Sequence, residues 1–185
     1  MAQTVTNVTA GKPAVAGGLY KAPTGTTLPT DATTALAAAF KALGYSSEDG
    51  LTNGVTRETE DIKAWGGDIV LVPQTSYKET FKITLIEALN PDVLSVVHGS
   101  TNVSGTLATG ITVSKNSKEL DEAIYVVDMI MRNNALKRIV IPKGKVTEVA
   151  EVTYKDNEVV GYEVTIQAFP DASGNSSYEY IKAAS

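Results

Sequence analysis

The sequence predicts a mainly β domain: an antiparallel β-sandwich or partial barrel with a flanking α-helix and an extended N-terminal arm. Three observations support this class. Strand-like runs dominate from residue 55 onward, two short segments carry helix signals, and the first 30 residues are rich in Gly, Thr, Ala and Pro without periodicity. With 185 residues and 43% hydrophobic content, the chain is long enough for one domain with a buried core.

The N-terminal segment is predicted to be an arm rather than part of the core. We divide the chain into an extended arm, residues 1–22, and a single β-sandwich domain, residues 23–185. The composition of the arm buries little apolar surface against its own domain. We therefore expect the arm to be disordered in a free monomer and to become ordered against a neighbouring copy.

Two helices are predicted. Residues 31–43 have a capping residue at Asp31, a glycine just past the end, and an apolar stripe at helical spacing formed by Leu36, Phe40 and Leu43. The second helix follows Asn90, which can cap it, with Pro91 suited to its first position and Gly99 able to end it.

About seven or eight strands are predicted. Residues 79–87 alternate Phe81, Ile83 and Leu85 with polar residues, which is typical of a strand with one solvated face. Residues 123–131 are apolar on both faces, so we expect cover on both sides, from the domain's own layers or from another subunit. Residues 145–169 resemble a long hairpin, and a short edge strand is predicted near the C-terminus.

Composition argues against most chemistry. The chain has no cysteine, which excludes thiol catalysis, disulfides and cysteine metal sites. The single histidine, His98, could be a general base or a metal ligand, but without a second histidine or a cysteine we expect it to be an isolated residue at the end of a helix. No nucleotide or calcium motif occurs. The net charge of −5 disfavours a surface that grips nucleic acid, and no apolar stretch of about 18 residues predicts a membrane span. We expect no enzyme activity and no cofactor.

Two segments of opposite charge stand out. Residues 48–61 carry five acidic residues and one arginine, whereas residues 132–145 carry five basic residues and no acid: Arg132, Lys137, Arg138, Lys143 and Lys145. They are either two separate surface faces or complementary patches that meet between copies. In the second case assembly would weaken with salt, because exposed charge pairs are screened over about 8–10 Å at physiological ionic strength.

The chain resembles the major tail protein, or tail tube protein, of long-tailed, non-contractile bacteriophages. The likeness runs in matching order from about residue 19. It is carried by "LGYSSEDGLTNGVTRETEDIKAWGGDIV" (43–70), "TFKITLIEALNPDVL" (80–94), "ALKRIVIPKGKVTEV" (135–149) and "VVGYEVTIQAFPD" (159–171). It covers nearly the whole chain and is least distinctive in the N-terminal arm.

The resemblance implies a structural virion protein without cofactors. Such proteins are sandwich-like domains with a flanking helix. Six copies form a ring whose inner strands join into one barrel, and stacked rings make a hollow tube that delivers viral DNA to the host. The implied partners are the chain itself, other tail proteins at the tube ends, a tape measure protein in the lumen, and DNA in transit without specific binding. The resemblance implies assembly in the host cytoplasm and a final location in the virion tail. It does not imply contact with a membrane.

Candidate site residues follow from this picture. Glu58 and Glu60 alternate on a predicted strand, residues 55–64, whose face Ile62 continues; we expect them in the lumen, because family lumens are acidic and acidic walls let DNA slide. Trp65 lies before a predicted tight turn at Gly66-Gly67 and is expected at the sheet edge or between subunits, with a core position as the alternative. The remaining candidate inter-subunit contacts are Asp61, Lys137 and Arg138.

Two other functions stay open at this level. A virion- or cell-surface β-sandwich that binds carbohydrate would show a stripe of exposed aromatic residues, whereas the tyrosines are scattered along this sequence. A glycosidase would need a cleft with two close carboxylates, which spacing along the chain cannot establish.

Overall fold

A computed structural model describes residues 4–14 and 18–183. These residues form thirteen strands and one α-helix, all listed here in chain order. The first strands are β1 (Gly11–Pro13), β2 (Leu19–Pro23), β3 (Lys41–Ala42), β4 (Ser46–Thr59), β5 (Ile62–Lys63), β6 (Ile69–Leu71) and β7 (Gln74–Leu85). The helix α1 (Pro91–His98) follows, and then β8 (Val103–Thr106), β9 (Gly110–Val113), β10 (Ala123–Met131), β11 (Leu136–Val149), β12 (Tyr162–Ala168) and β13 (Tyr178–Lys182).

Nine strands form one antiparallel sheet. Its order is β3-β2-β10-β11-β12-β7-β4, with β1 added beside β10 and β13 added beside β11. The other four strands form two hairpins, β5–β6 and β8–β9. The mainly β class with an antiparallel sheet and one flanking helix is confirmed, in the form of a sandwich rather than a closed barrel.

The inner face of the sheet and α1 enclose the main core. Phe81, Ile83 and Leu85 lie on this face of β7, as their alternation predicts. The predicted second helix is α1: the Asn90 side chain accepts a hydrogen bond from the Asp92 amide at 2.9 Å, and Pro91 occupies the first turn. Its buried residues, Val93, Leu94, Val96 and Val97, join the same core.

The outer face of β2, β10 and β11 is covered by the chain itself. Ile124, Val126 and Val140 form a second cluster with Ala22 and Phe40, and the partly buried residues packed against it include Leu28 and Leu36. The two-sided apolar pattern of β10 is thus satisfied within one subunit. No neighbouring copy is needed to cover this strand.

The first predicted helix, residues 31–43, does not form. The segment is turns and extended chain that ends in β3. Arg138 explains why: its guanidinium donates to the carbonyl oxygens of Asp31 at 3.0 Å and Thr34 at 2.7 Å. Asp31 meanwhile accepts hydrogen bonds from Thr33 and Thr34, which hold it in a local turn and lower its pKa, Thr34 contributing most.

Arg138 is itself held by Asp128 across the β10–β11 ladder. The guanidinium binds both carboxylate oxygens, at 2.6 and 2.9 Å, and only 5% of the arginine is exposed. The hydrogen bonds that Arg138 donates to Asp128 raise the pKa of Arg138. One buried cation therefore joins the centre of the sheet to the loop that covers it.

The sheet curls so that residues 43–46 bridge its two ends. The Leu43 amide donates to the carbonyl of Leu19 in β2, whereas the Ile86 amide, at the end of β7, donates to the carbonyl of Tyr45. Gly44 lies between them at φ 72°, and a Cβ there would be about 2 Å from the Glu87 carboxyl group. A side chain at position 44 would therefore disrupt this junction.

The boundary predicted at residue 22 cuts through a core strand. Leu19 and Ala22 in β2 are each 1% exposed, and β2 pairs with the centre of the sheet through β10. The arm can therefore include only residues before Leu19. Of these, Gly11–Pro13 pair with Met131, Ile130 and Met129, while Val5 and Val8 are exposed. Residues 1–3 and 15–17 of the predicted arm lie outside the described residues.

The later strands agree with prediction in kind and differ in their bounds. β11 is one 14-residue strand, Leu136–Val149, with a register shift between Val146 and Glu148. It pairs with β12 as predicted for residues 145–169, although β12 begins only at Tyr162. The predicted C-terminal edge strand is β13, which pairs with the first half of β11.

Replacing Arg138 with alanine should destabilise the fold by about 3–5 kcal/mol, because it leaves the largely buried Asp128 carboxylate unpaired and releases the covering loop. Urea unfolding followed by circular dichroism measures the change. Lys82→Ala is the matched control: it breaks a 2.8 Å ion pair with Glu163 whose members are 51% and 38% exposed, and little change is expected. Equal losses for the two variants would contradict the anchoring role of Arg138.

Candidate assembly surfaces

A two-stranded ribbon leaves the body of the domain. β12 pairs with β7 from Leu85 only as far as Glu79, and beyond that residue β7 keeps β4 as its partner. We call residues 55–78 the arm ribbon. It comprises the end of β4, the β5–β6 hairpin and the start of β7.

The ribbon ends in the turn that the sequence indicates. Gly66 and Gly67 adopt φ of 119° and 100°, a backbone region that favours glycine, and the Ala64 amide donates to the Asp68 carbonyl at 2.8 Å. Trp65 stands at this tip with its whole side chain in solvent, at 106% of the reference exposure. A core position for Trp65 is therefore wrong.

The ribbon is unusually apolar for an exposed element. Eight of its large hydrophobic residues are at least 43% exposed: Val55, Ile62, Trp65, Ile69, Val70, Leu71, Val72 and Tyr77. A concentration of exposed apolar side chains of this kind marks an interaction site or an aggregation hazard. It is the largest concentration of exposed apolar side chains among the described residues.

A second surface is the outer face of β4, β7, β12 and the end of β11. Strand pairing places exposed or half-buried polar residues here, because paired residues share a face and alternate residues point the same way. Its members are Thr52, Thr56, Glu58, Ser76, Lys78, Thr80, Lys82, Thr84, Lys145, Glu148, Glu163, Thr165 and Gln167. We call this the polar face; it holds three lysines and three glutamates.

Glu58 lies on the polar face, where its carboxylate accepts a hydrogen bond from Ser76 at 2.9 Å. The predicted alternation does not continue to Glu60 and Ile62. β4 ends at Thr59 after a register shift between Glu58 and Thr59, and Ile62 belongs to the separate β5–β6 hairpin. Alternation therefore does not place Glu58 and Glu60 on one face, although both are exposed.

The basic segment is largely neutralised within the chain. Four of its five cations form ion pairs, Lys137 with Glu179, Arg138 with Asp128, Lys143 with Glu122 and Lys145 with Glu119. The pairing with Lys145 lowers the pKa of Glu119. Arg138 is buried and anchors its own loop, so it is not available to a neighbouring copy. Asp61 is exposed at the base of the tip.

Features that could support catalysis are weak. Among the described residues no group of three or more His, Asp or Glu side chains could hold a metal ion. His98 ends α1 with its ring edge-on to Tyr162, and its pKa is lowered by burial and by Lys115. Of the scattered tyrosines, Tyr125 and Tyr162 are buried, whereas Tyr45, Tyr77 and Tyr154 are exposed. In the part of the chain that is described, no helix is long and apolar enough to cross a membrane.

Comparison with known proteins decides the family. A family model described as phage tail tube protein matches residues 6–185. The chain belongs to the phage tail tube protein family. A search of curated proteins finds no match. This tail tube protein is therefore a structural component of the virion tail, and the family implies self-assembly into a tube together with other tail proteins.

Sequence reasoning found only part of the arm ribbon: the strand at residues 55–64, the turn at Gly66-Gly67 and Trp65. It singled out Trp65 but not the exposed apolar residues of β6 and the segment after it, "IVLV" at 69–72. A signal was present: a short apolar run beside a glycine turn, with no second apolar strand nearby that could cover it. A run of that length is also typical of a buried strand, so the pattern alone does not indicate that these residues are exposed.

Trp65 is the only tryptophan, so its fluorescence reports on the tip alone. In dilute protein we expect emission of a fully solvated indole and efficient quenching by acrylamide. Because the side chain has no cover, Trp65→Ala should change the free energy of unfolding by less than about 0.5 kcal/mol. A blue-shifted, poorly quenched emission in protein shown by light scattering to be monomeric would contradict the exposed tip.

Proposed function

We propose that six copies of this tail tube protein form a ring, that rings stack into a hollow tube, and that the tube delivers viral DNA. The observation that carries the proposal is the arm ribbon. It leaves eight large apolar residues at least 43% exposed. A repeated contact between identical copies covers such a surface without any further component.

The arm ribbon is proposed to lie against an adjacent copy, with Trp65 as its central anchor and Asp61 beside it. Aromatic residues in water-excluded positions dominate the energy of most interfaces. Lys137, half-buried and paired with Glu179, belongs at most to the rim of such a contact. Arg138 is left out, because its hydrogen bonds are used within the subunit.

The inner strands of the ring are proposed to join into one barrel through two open edges. β4 ends the sheet, with β7 as its partner in the described residues. The second open edge belongs to the end of β11. Residues 145–149 of β11 pair with β12 on one side, but β10 pairs with β11 only as far as Gly144, so among the described residues no strand pairs with the other side of residues 145–149. Pairing β4 of one copy with this edge of the next would remove both edges.

The polar face is proposed to line the channel. Glu58 belongs to this face and is therefore proposed to face the lumen. Glu60, which follows the end of β4, is proposed to lie beside it at the channel. Lysines and glutamates are equal in number there, and Lys82 is paired with Glu163 at 2.8 Å. Such a wall offers DNA few free cations, and multiple free lysine or arginine contacts are what create non-specific affinity for phosphate. We therefore expect viral DNA to pass through the channel transiently and without specific binding.

The carbohydrate-binding alternative gains no support from the structure. Trp65 is the one fully exposed aromatic side chain among the described residues and lies at a tip rather than on a flat face. No metal, nucleotide or other cofactor is proposed. Tube-end proteins and a tape measure protein are proposed partners on the family's general organisation alone.

Negative-stain electron microscopy of concentrated protein tests the proposed function. We expect rings or tubes, and for Trp65→Ala a rise of at least tenfold in the protein concentration needed to form them. Lys63→Ala is the matched control, since it removes an exposed side chain of the same hairpin that is not apolar. Tubes formed by Trp65→Ala at the wild-type concentration would contradict a central role for the tip.

Cysteine accessibility tests the lumen, because the natural chain has no cysteine. Thr52→Cys lies on the polar face and Ala108→Cys lies in the β8–β9 turn, beside α1. In monomers both should react with a bulky polyethylene-glycol maleimide. In tubes Thr52→Cys should resist that reagent while still reacting with a small maleimide. Equal reaction of Thr52→Cys in tubes and monomers would place the polar face outside.

Salt dependence separates the two kinds of contact. Because four of the five basic-segment cations are paired internally and the arm ribbon is apolar, we expect tubes to persist from low to molar sodium chloride. This reverses the expectation from complementary charge patches. Light scattering during salt titration measures it, and disassembly with rising salt would restore the charge-patch account.

A further inference from the structure

The arm ribbon leaves the sheet at one residue. Ala168 of β12 pairs with Glu79 of β7, and this is the last pair between the two strands. Beyond it the Phe169 amide still donates to the Lys143 carbonyl of β11 at 2.8 Å but no residue of this segment pairs with β7, so the ribbon loses its third strand there. Two-stranded ribbons without such support are marginally stable and bend easily. Something else must fix the direction of the ribbon if its tip is to meet a partner reproducibly.

Glu79 occupies this point and is buried, with 6% of its surface exposed. Its carboxylate accepts hydrogen bonds from both Ser176 and Ser177, which lie in the loop between β12 and β13. The distances from the Ser177 hydroxyl to the two carboxylate oxygens are 3.0 and 3.1 Å. Asn53, in the part of β4 just before the ribbon, donates at 3.1 Å, and the Tyr77 hydroxyl of the ribbon donates at 3.4 Å.

This arrangement is unusual for a buried carboxylate. The ion pairs among the described residues do not include Glu79. Its partners are three hydroxyl groups and one amide, contributed by β4, by β7 and by the loop between β12 and β13. A buried carboxylate is retained only where such donors compensate for lost water, so the cluster is tied to this one geometry.

The network continues outward along the ribbon. Tyr77 bonds Glu79 and lies 3.5 Å from the Ser176 hydroxyl, and the Arg57 guanidinium stacks 4.6 Å from the centre of the Tyr77 ring. Arg57 also donates to Gln74 at 2.8 Å. The part of the ribbon next to the domain body is thus bonded, through Tyr77 and Glu79, to the loop between β12 and β13.

We propose that Glu79 is a positioning residue for assembly: with Ser176 and Ser177 it forms a clasp that sets the direction in which the arm ribbon leaves the domain. The clasp replaces the missing third strand at the point where β12 ends. This inference rests on the proposed function for its purpose, since the direction matters only if the tip meets another copy. Its geometry can be tested in a monomer, without assembly.

Distance measurement between two spin labels gives that test. The labels are placed at Lys63→Cys near the tip and Glu148→Cys in β11, both exposed positions in a chain without other cysteines. Double electron–electron resonance is recorded at a concentration where light scattering shows monomers. For the otherwise wild-type chain we expect one narrow distance distribution.

Variants of the clasp should broaden that distribution. We expect at least a twofold increase in width for Ser176→Ala with Ser177→Ala, and for Glu79→Ala. Glu79→Gln should keep it narrow, because its carbonyl can accept and its amide can donate to rotatable hydroxyls. Glu163→Ala, which breaks an exposed ion pair on the polar face, is the matched control and should also stay narrow. Circular dichroism melting confirms that each variant is folded.

The outcomes separate the clasp from the proposed function. A narrow distribution in both the serine variant and Glu79→Ala, or a distribution for Glu79→Gln as broad as that for Glu79→Ala, would overturn the hydrogen-bonded clasp. A broadened distribution with a tenfold rise in the concentration needed for tubes supports the whole proposal. A broadened distribution with unchanged assembly would leave the clasp standing and refute the arm ribbon as the assembly element.

Discussion

The structure depends on keeping the β10–β11 pair free of water on both faces. The inner face is covered by α1 and by the curled sheet, and the outer face by residues 24–40. The outer cover is not a regular element, so it needs a fixed attachment. The buried Arg138–Asp128 pair supplies it by binding backbone carbonyls of the loop. Burial of a charge is costly, and here every donor involved has a partner.

The body of the domain and the arm ribbon differ in how far their apolar side chains are covered. The body covers its apolar strands with its own chain, whereas the ribbon carries apolar residues that nothing in the described chain covers. Both properties come from one sheet. Residues 74–78 of β7 belong to the ribbon, whereas residues 79–85 pair with β12 in the body of the domain.

Much of the fold could be predicted where local signals and tertiary contacts agree. The cap at Asn90 with Pro91 marks α1 correctly, and the alternation of Phe81, Ile83 and Leu85 marks the inner face of β7. The helix predicted for residues 31–43 is wrong because Arg138, which is distant in the sequence, binds the carbonyl oxygens of Asp31 and Thr34. No local sequence pattern shows this contact. Likewise the sequence does not show that the cations of residues 132–145 are paired, because their partners lie in distant segments: Glu179 in β13, Asp128 in β10 and Glu119 in the loop before β10.

The central claim is that the arm ribbon is covered by a neighbouring copy in the tube. Amide hydrogen exchange of residues 62–72, compared between monomer and assembled tube, tests it most directly. The account predicts strong protection of this segment in the tube and little in the monomer, with the core strand β10 protected in both. Equally fast exchange of residues 62–72 in the two states would contradict it.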